Sequence, residues 1–552
     1  MTMPETAEDY STLYQEFRWS IPAQFNIGTA CADRWAAENP ERTALLRYDP
    51  EGGLAPTSYG TLKTDSDRLA QALRSRGIGR GDRVAILLPQ SVETVLGHLA
   101  AYKLGAIAVP LAALFGPDAL AYRLRISGAG AILTDAAGLA KLAELPDGPA
   151  ALETIICTDG GSGDAEGFRE AIEPFDGSFT AEDTSPDDPA LMIFTSGTTG
   201  PPKGALHGHR VLLGHLPGFA LSHGACPQPE DRMWTPSDWA WAGGLLNALL
   251  PALYRGTPVV FGPFQSFDPD GALTLMAKAR VTNTFLPPTA MRMLRSVANP
   301  RDRHDLVLRT IGAAGESLGR ETYEWSRSAL GITTNEFYGQ TECNYVLGSC
   351  TELGISRSGA IGMPVPGHRV AIIDESGHEV APDTLGQIAV MRPDPVMFLE
   401  YWQQKEATEA KFIGDWMTTG DQGIMDKDGY FFFVGRDDDV IISAGYRIGP
   451  SEVEDCLIAH PAVSLAAAVG KPDALRTEIV KAFVTLQPGV TPSEALAGEL
   501  RQFVRSRLSA TEYPREIAFV DEIPLTTSGK VIRRIFREQA IAEAAQEAGE
   551  SP

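Results

Sequence analysis

The chain has 552 residues, which is too many for one hydrophobic core, so two or more domains are expected. Its 47 Lys and Arg residues against 71 Asp and Glu residues give a formal net charge of −24. This balance argues against nucleic acid or an anionic membrane as the main partner, because binding to phosphate-rich surfaces needs clustered basic side chains.

The six Cys residues show no CxxC spacing, which is typical of free thiols in a reducing compartment. The acidic N-terminus has neither an apolar signal core nor a basic transit pattern. No apolar run is long enough to cross a bilayer. We therefore expect a cytoplasmic protein without a membrane partner; whether it forms a homodimer is left open.

Strand and helix patterns alternate in the first two thirds of the chain. Residues 83–89 have the pattern of a buried strand, 91–105 that of an amphipathic helix, and 106–111 that of the next strand, which predicts a βαβ unit. Further short strands are predicted at 131–135, 154–159, 282–288 and 308–315. Residues 159–189 are rich in Gly, Asp, Ser and Pro, which predicts a loop outside the core.

The pattern changes after about residue 365. Short strands separated by Gly and Asp turns, at 370–374, 386–391 and 429–435, predict a small β subdomain. A charged break at 435–440 precedes a mixture of helices and strands of ordinary domain size. The sequence thus predicts an α/β protein: a large N-terminal domain, 1–436, of mixed βα sheets with a small β subdomain, and a small α+β C-terminal domain, 437–552.

A glycine-rich loop, TSGTTGPPKG at 195–204, directly follows a buried apolar run. It is not a Walker loop, because Gly rather than Ser or Thr follows Lys203 and two prolines occupy the turn where a Walker helix would begin. The hydroxyls of Thr195, Ser196, Thr198 and Thr199 could still surround phosphate oxygens together with backbone N–H groups. Lys203 adds a positive charge, so the loop predicts a polyphosphate site.

Five more motifs follow in order: GAAGESL (312–318), EFYGQTE (336–342), TTGD (418–421), GRDDDVIISAGYRIGPSEVE (435–454) and PLTTSGKVIRR (524–534). With the glycine-rich loop, they make nearly the whole chain resemble the acyl-adenylate-forming enzymes, which include acyl-CoA synthetases, carrier-protein adenylation domains and luciferases. The GYRIGPSEVE and YPR segments are most similar to the medium-chain acyl-CoA synthetases. The resemblance implies ATP, Mg²⁺ and CoA as cosubstrates or cofactors.

The resemblance also implies two half-reactions. A carboxylate attacks the α-phosphorus of ATP to give acyl-AMP and pyrophosphate, and a thiol then displaces AMP. It assigns catalysis to Lys530, Thr341, Glu342 and Lys203, with Glu342 holding Mg²⁺, a hard cation suited to carboxylate oxygen. It implies binding of ATP or AMP by Thr195, Ser196, Gly197, Thr198, Thr199, Gly200, Lys203, Gly315, Glu316, Ser317, Glu336, Phe337, Tyr338, Gly339, Gln340, Thr341, Asp421, Arg436, Arg447 and Lys530.

Within this set the chemistry fits the residue types. Asp421 would accept hydrogen bonds from both ribose hydroxyls, which an ionised carboxylate does well. Lys530, a flexible cation, would contact the substrate carboxylate and the α-phosphate. Its neighbours Arg533 and Arg534 are expected to be solvated. Acylation of Lys530 as a regulatory modification is a further hypothesis, because it would remove the charge.

Lys530 and an incoming thiol cannot occupy one site together, and the family resolves this by rotating the C-terminal domain. The resemblance places the hinge at Asp438. It places CoA at Ala444, Gly445, Tyr446, Arg447 and Arg515. The lysine that the family often carries near Ile442 is absent, which weakens any assignment there. A peripheral Mg²⁺ on backbone carbonyls would match Ile458, His460 and Val463.

The acyl pocket is predicted to be lined by Trp239, Trp241, Ala242, Gly243, Ala314 and Gly339. Acetate-activating members have a Trp at the position of Gly339, and most of the other wall residues here are small. An empty apolar space is costly, so the acid should be larger than acetate: medium-chain, branched or aryl. The two tryptophans could instead be ordinary core residues.

The leading hypothesis is therefore an ATP-dependent carboxylic acid–CoA ligase. An enzyme that loads a carrier protein is the nearest alternative, although no carrier-like segment follows the last motif. A luciferase-like oxygenase would share the motifs. A non-catalytic nucleotide sensor would be expected to lack Lys530, Glu342 or Asp421, and all three are present.

Overall fold

The computed structural model describes residues 9–145, 152–195, 201–224, 228–262, 267–436, 439–443, 446–473, 476–508, 513–526 and 530–547, and only the backbone of 446 and 447. The strands of this part are β1 (Thr43–Asp49), β2 (Gly53–Ser58), β3 (Arg83–Leu87), β4 (Ile107–Pro110), β5 (Ala131–Thr134), β6 (Thr154–Cys157), β7 (Glu166–Gly167), β8 (Pro189–Phe194), β9 (Gly204–Gly208), β10 (Met233–Trp234), β11 (Val259–Phe261), β12 (Asn283–Phe285), β13 (Thr310–Ala313), β14 (Asn335–Gln340), β15 (Cys343–Gly348), β16 (Met363–Pro364), β17 (Val370–Ile373), β18 (Gly386–Met391), β19 (Glu400–Tyr401), β20 (Phe412–Ile413), β21 (Trp416–Met425), β22 (Phe431–Arg436), β23 (Ile441–Ser443), β24 (Tyr446–Ile448), β25 (Val463–Asp473), β26 (Thr477–Leu486) and β27 (Glu516–Phe519).

The α-helices in the same ranges are α1 (Tyr10–Glu16), α2 (Arg34–Glu38), α3 (Tyr59–Ser75), α4 (Val92–Lys103), α5 (Pro117–Ser127), α6 (Ala136–Ala143), α7 (Phe168–Ile172), α8 (Arg210–Ser222), α9 (Ala242–Gly244), α10 (Leu250–Arg255), α11 (Pro269–Lys278), α12 (Pro288–Leu294), α13 (Pro300–Arg303), α14 (Arg320–Ala329), α15 (Lys405–Glu409), α16 (Pro450–Ile458), α17 (Glu494–Arg507) and α18 (Arg533–Glu547). Two π-helical turns, Thr29–Asp33 and Leu245–Leu249, and a 3₁₀ turn, Thr351–Leu353, complete the helical elements of these ranges.

Two large sheets form the body of the N-terminal region. Within the described ranges, one has eight strands in the order β19-β9-β8-β4-β3-β5-β6-β7 and the other nine in the order β16-β15-β14-β13-β12-β10-β11-β1-β2. Both contain parallel and antiparallel pairs, as in β3 with β4 and β8 with β9. The predicted βαβ unit is confirmed: Ser91 caps α4, which joins parallel β3 and β4.

Smaller sheets follow in chain order. The β subdomain is an antiparallel sheet, β17-β18-β21-β20, with β22 paired to β21. The C-terminal sheet of the described residues has the strand order β24-β23-β26-β25, with β27 parallel to β26. The helices α16 and α18 contact β25, and α17 contacts β27. The predicted fold class, mixed sheets with a β subdomain and a small α+β domain, is confirmed.

The prediction of a plain loop at 159–189 is wrong in part. Phe168–Ile172 forms the short helix α7 after β7. Phe168, Ala171 and Ile172 are buried in the main core, because their i, i+3, i+4 spacing places them on one face. The glycine and proline content of the surrounding segment hides this single apolar turn.

The topology brings together three motifs that lie on or directly after strands. Parallel β13 and β14 are neighbours, with Ala313 opposite Glu336, so GAAGESL and EFYGQTE leave the sheet at the same edge. In the β subdomain, β21 carries TTGD and pairs with β22 so that Asp421 lies opposite Arg436. Polar groups from distant parts of the sequence therefore meet at one place.

Candidate active site

A cavity of about 630 Å³ lies at this edge, between the two large sheets, the β subdomain and the C-terminal domain. Fifteen of the predicted nucleotide-site and catalytic residues line it: Thr195, Lys203, Gly315, Glu316, Ser317, Glu336, Phe337, Tyr338, Gly339, Gln340, Thr341, Glu342, Asp421, Arg436 and Lys530. The predicted residues Ser196, Gly197, Thr198, Thr199, Gly200, Asp438, Ala444 and Gly445, and the side chains of Tyr446 and Arg447, lie outside the described residues.

Asp421 is a buried carboxylate held by the EFYGQTE strand. Tyr338 donates a hydrogen bond to Oδ2, and Gln340 Nε2 donates to the same oxygen at 2.8 Å. Arg436 lies 4.0 Å from the other oxygen, Oδ1. Burial raises the pKa of Asp421, and Arg436 and the hydrogen bonds oppose that shift. The two hydrogen bonds fix Oδ2 of the carboxylate, and Oδ1 lies on the side of Arg436.

Glu342 is the last residue of the EFYGQTE motif, and only 8% of its surface is exposed. Tyr401 donates a hydrogen bond to its Oε1. Its Oε2 receives no hydrogen bond from any residue in the described ranges. The Lys203 ammonium lies 5.0 Å from the centre of the Tyr401 ring, so it is on the Glu342 side of the cavity. The Lys203 N–H donates to Thr195 Oγ1 at 3.2 Å, which closes the base of the glycine-rich loop.

Glu316 and Ser317 extend from the end of β13 across a glycine with φ of +101°. Glu316 accepts a hydrogen bond from Thr289 at 2.7 Å and pairs with Arg292. Ser317 donates to Asp455 Oδ2 at 3.1 Å, which is a contact between the N-terminal and C-terminal regions. Gly315 is the position where positive φ is needed, and only glycine adopts it at low cost.

Two carboxylates near this contact have strongly raised pKa values. Burial raises the pKa of Glu336 to about 8, although Leu318 N–H donates to it at 3.1 Å. Burial raises the pKa of Asp455 to about 7, with Arg292 opposing the shift. Both groups can therefore hold a proton near neutral pH.

Lys530 enters the cavity from the C-terminal region. Its backbone N–H donates to Thr526 Oγ1 at 3.0 Å. The side chain keeps access to solvent, yet the surrounding protein lowers the pKa of Lys530 by desolvation. Glu316, Asp421 and Glu342 raise that pKa, and all three line the same cavity as the lysine.

The prediction that Arg533 is solvated is wrong. Its guanidinium pairs with Glu454 and lies 3.5 Å from Asp439, and it lines the cavity. The two carboxylates compensate its burial. Arg534, one residue on, is exposed and pairs with Glu538 within its own helix, as expected for a solvated arginine.

The predicted acyl residues are placed differently. Of the six, only Gly339 lines the described cavity. Trp239 and Ala314 are buried in the main core, and Trp241 packs edge-on against Phe115. Ala242 packs against the main core.

Two glycines of this set have different neighbours. A Cβ on Gly243 would contact the Phe285 ring at 3.0 Å. A Cβ on Gly339 would lie 2.4 Å from the backbone nitrogen of Tyr345, so this glycine is required by the close approach of β14 and β15. Gly339 therefore says less about room for the acid than the sequence comparison with acetate-activating members implies.

Arg515 lies outside the main cavity. It borders a second cleft of about 400 Å³ on the C-terminal region, together with Arg501, Arg505 and Tyr513. Both Arg505 and Arg515 stack over the Tyr513 ring, at 5.3 and 5.2 Å. The His460 carbonyl accepts the Val463 N–H at 3.0 Å at the end of α16.

Among the cavity-lining residues that sequence reasoning missed are Arg292, Tyr401, Lys411 and Arg533. Arg292 and Tyr401 lie in apolar surroundings, PTAMRML and FLEYW, where no polar spacing marks them. Lys411 lies between a charged helix and TTGD, so nothing in its spacing separates it from a solvated lysine. Arg533 lies three residues after Lys530 of the SGK motif, which was the available signal.

The donor set fits one Mg²⁺ bound mainly through a nucleotide. Among the described residues there is no cluster of three or more His, Cys, Asp or Glu side chains that could hold a metal. One carboxylate oxygen of Glu342, Oε2, receives no hydrogen bond from any described residue. Mg²⁺ usually takes one or two carboxylates, substrate phosphates and waters, so a single buried carboxylate is a suitable protein ligand.

Two other expectations have structural outcomes. The five cysteines within the described ranges are free thiols. In those ranges, the structure contains no helix with the length and apolarity needed to cross a membrane.

Comparisons with known proteins show the family to which the chain belongs. Residues 32–402 match the AMP-binding enzyme family and 452–530 match the AMP-binding enzyme C-terminal domain. The chain is 33% identical to acetyl-coenzyme A synthetase of Bacillus subtilis, over 96% of this chain and 95% of that protein. It is also 33% identical to the mitochondrial acyl-coenzyme A synthetase ACSM3 of Mus musculus, over 97% and 94%.

A solved structure shares the whole fold. The anthranilate CoA ligase AuaEII in complex with anthranoyl-AMP superposes with a TM-score of 0.87 at 28% identity, covering 95% of this chain and 99% of that one. The family match spans most of the chain, and the motifs lie around one cavity. The chain therefore belongs to the AMP-binding enzyme family, and within it to the AMP-forming acyl-CoA synthetases.

Proposed function

We propose that the protein is an ATP-dependent carboxylic acid–CoA ligase whose acid is larger than acetate: medium-chain, branched or aryl. The observation that carries the proposal is the meeting of Lys530, Asp421 and Glu342 around one cavity, since these groups come from three separate parts of the chain. A structural role alone would not explain a lysine that lines one cavity with three carboxyl groups without pairing with one of them among the described residues.

In the proposed binding mode, Asp421 accepts the ribose hydroxyls through the oxygen that Tyr338 and Gln340 leave open. Gly315, Glu316 and Ser317 border the adenine. The glycine-rich loop, residues 195–204, wraps the phosphates, with Lys203 near Glu342 at the triphosphate end. Arg436 lies beside Asp421 and contacts the ribose or the α-phosphate.

The first half-reaction follows from this placement. The acid's carboxylate oxygen forms a bond to the α-phosphorus, the bond to the β-phosphate oxygen breaks, and pyrophosphate leaves with the electron pair. Lys530 draws the acid's carboxylate and the α-phosphate together, two anions that otherwise repel each other. Thr341 donates a hydrogen bond to the α-phosphate. Glu342 would hold Mg²⁺, which supplies charge neutralisation for the phosphates.

The second half-reaction requires Lys530 to leave. We propose domains of 1–436 and 437–552 with Asp438 as the hinge, and the 444–447 segment and Arg515 on the CoA path. The interface present here includes the Ser317–Asp455 hydrogen bond and a 3.5 Å contact between Arg507 and Glu321. Both contacts break on rotation, and the second is a surface pair that costs little to separate.

The acid class rests on the small residues Ala242, Gly243 and Ala314, although none of them lines the described cavity. Similarity to the solved structures of an anthranilate CoA ligase and a benzoate CoA ligase also supports it, although another relative is an acetyl-coenzyme A synthetase. We place the enzyme in the cytoplasm, without nucleic acid or membrane as a partner. Transfer to a carrier protein instead of CoA is the alternative outcome of the test.

The test is ATP–pyrophosphate exchange with acids from acetate to decanoate and with benzoate, followed by AMP release on addition of CoA. Exchange with a medium-chain or aryl acid, and stimulation of turnover by CoA, are expected. Equal efficiency with acetate and octanoate would contradict the size argument. Exchange without stimulation by CoA would favour a carrier protein. Absence of exchange with every acid would contradict the proposed function.

A further inference from the structure

Lys411 is fixed beside the TTGD strand by its backbone. It follows α15 and precedes β20. Its carbonyl accepts the Thr418 N–H at 2.7 Å and the Thr418 hydroxyl at 3.0 Å. Because Thr418 is the first residue of the TTGD motif, this double contact sets the position of Lys411 relative to Asp421, three residues further along.

The Lys411 side chain lines the main cavity. Burial lowers the pKa of Lys411, and Arg436 and Lys203 act in the same direction. Glu342 is the strongest of the charged groups that act on it, and both Glu342 and Asp421 raise the pKa. Contacts of the same segment lead to the Glu342 side of the cavity. The Lys411 N–H donates to the Thr408 carbonyl at 3.1 Å, Thr408 Oγ1 accepts the Tyr401 N–H at 2.9 Å, and the Tyr401 hydroxyl donates to Glu342.

No hydrogen bond or ion pair engages the Lys411 ammonium among the residues that the structure describes. By contrast, Arg292 pairs with Glu316 and Arg533 pairs with Glu454, so those two cations are already compensated. A largely buried ammonium without a partner is unfavourable unless an anion arrives. Lys411 is therefore a cation, without a partner among the described residues, that can bind an anion on the triphosphate side of the cavity.

We infer that Lys411 binds the pyrophosphate part of ATP and neutralises the charge that develops on it as it leaves. The inference rests on the proposed function and extends it to a residue that no motif marks. The side of the cavity decides the assignment: Glu342 and Lys203 lie at the triphosphate end, whereas Asp421 marks the ribose end. Lys411 stays protonated throughout; the α-phosphorus–oxygen bond breaks and the electron pair goes to pyrophosphate.

The alternative is that Lys411 is only a counter-ion for Glu342. A counter-ion would stabilise the fold and would affect every nucleotide alike. A pyrophosphate ligand would affect ATP and pyrophosphate but not AMP, which lacks the leaving group. The difference between ATP and AMP is therefore the measurement that separates the two roles.

The experiment compares Lys411→Met with Lys405→Met, a control on the same segment whose side chain is 86% exposed. Calorimetric titration gives the affinity for MgATP, pyrophosphate with Mg²⁺, and AMP. Lys411→Met should weaken the first two about tenfold or more and leave AMP unchanged, since a hydrogen bond to a charged group is lost. Lys405→Met should change none of them. Equal weakening for AMP and MgATP would overturn the inference.

A second measurement uses the unaltered protein, so it holds even if the variant is unstable. Amine acylation by an activated acetate ester is followed by mass spectrometry at Lys411, with Lys405 as the internal reference. Pyrophosphate with Mg²⁺ should protect Lys411 and AMP should not; protection by neither, or by both equally, would contradict the inference. If the protein binds MgATP but activates no acid, the proposed function fails while the result for Lys411 still stands.

Discussion

The proposed nucleotide side of the cavity and the proposed acyl side beside it are built from different kinds of contact. On the nucleotide side, carboxylates such as Asp421 and Glu342 are each held by a tyrosine hydroxyl. On the acyl side, aromatic rings pack on one another: Phe337 lies 5.5 Å from Phe285 and stacks on Tyr345 at 3.8 Å between ring centres. Hydrogen bonds fix the first side, and the volumes of side chains fix the second.

The two sides meet on a single strand. Adjacent residues of a strand point to opposite faces, and β14 places Glu336 toward Leu318 and Asp455 while Phe337 joins the aromatic core. In the proposed binding mode, one strand therefore serves the nucleotide with one face and limits the acid with the other. Changes on the first face should alter the chemistry, and changes on the second should alter which acid is accepted.

The largest effect is expected for Lys530→Ala on the nucleotide side. Loss of a positioned charge at the reacting groups should slow adenylation about 10²–10³-fold. ATP–pyrophosphate exchange at saturating acid measures this. Thioester formation from synthetic acyl-AMP and CoA should be retained, because the proposed rotation removes the lysine from the site in that step.

Lys427→Ala is the matched control for that experiment, since its side chain is 83% exposed and lies in the β subdomain away from the cavity-lining residues. It should leave both half-reactions unchanged. A loss of thioester formation in Lys530→Ala equal to the loss of adenylation would show that the lysine acts in both steps. That result would argue against rotation of the C-terminal domain between them.

The nucleotide side could be predicted from sequence because its residues are encoded as short motifs of fixed spacing. Gly315, Asp421 and Lys530 all line the cavity that the motifs imply. Lys411 could not be found in this way, because its position depends on two hydrogen bonds from Thr418 to its carbonyl. Arg533 was misjudged because its partners, Glu454 and Asp439, are distant in the sequence.

The acyl side was less predictable for a physical reason. Its shape is set by rings from separate strands. The type of a residue does not say whether the space beside it is filled by another part of the protein or is open to a ligand. Gly339 is the clearest case: its missing side chain makes room for the backbone of Tyr345 rather than for a ligand. The fold class, by contrast, followed from alternating strand and helix patterns that need only local information.

A second prediction concerns Glu336, whose pKa burial raises to about 8 from an ordinary value of 4.5. The folded protein therefore keeps this proton while the unfolded chain releases it. The stabilising contribution is fully present below about pH 4.5 and is lost as the pH rises to about 8. Because a tenfold change in proton affinity corresponds to about 1.4 kcal/mol, the free energy of unfolding should change by more than about 1 kcal/mol.

Glu336→Gln removes this titration and keeps an oxygen that can accept the Leu318 N–H. The stability of the variant relative to the unaltered protein should therefore increase between about pH 5 and pH 8. Denaturant unfolding at several pH values measures the difference. A difference that stays constant with pH would show that Glu336 is ionised in the folded protein.

A third prediction is that Gly339→Ala harms the enzyme toward all acids alike. The added methyl group would lie 2.4 Å from the backbone nitrogen of Tyr345, so β14 and β15 must separate. Overpacking of this kind costs about 1–3 kcal/mol. Unfolding stability and kcat/KM for a short and a long acid are measured together. Loss of activity confined to the long acid would restore Gly339 as a wall of the acyl pocket.

The smallest effect is expected for Gly243→Ala, which changes only the space beside Phe285. The new methyl group would meet the ring edge at 3.0 and 3.2 Å, a distance that a side chain can relieve by shifting a few tenths of an ångström. If this glycine borders the acid, kcat/KM should fall up to about tenfold for the largest acid accepted. The reason is that a pocket smaller by one methyl group changes kcat/KM by about that factor. Propionate should be unaffected.

Gly79→Ala is the matched control, because a Cβ there meets no atom within 4 Å and the residue lies far from the cavity in sequence. The ratio of kcat/KM for the largest acid to that for propionate is the deciding quantity, since a general loss of folded enzyme cancels in it. An unchanged ratio in Gly243→Ala would remove this glycine from the acyl pocket. A changed ratio with unchanged ATP affinity would show that the two sides of the cavity can be altered independently, as their different construction implies.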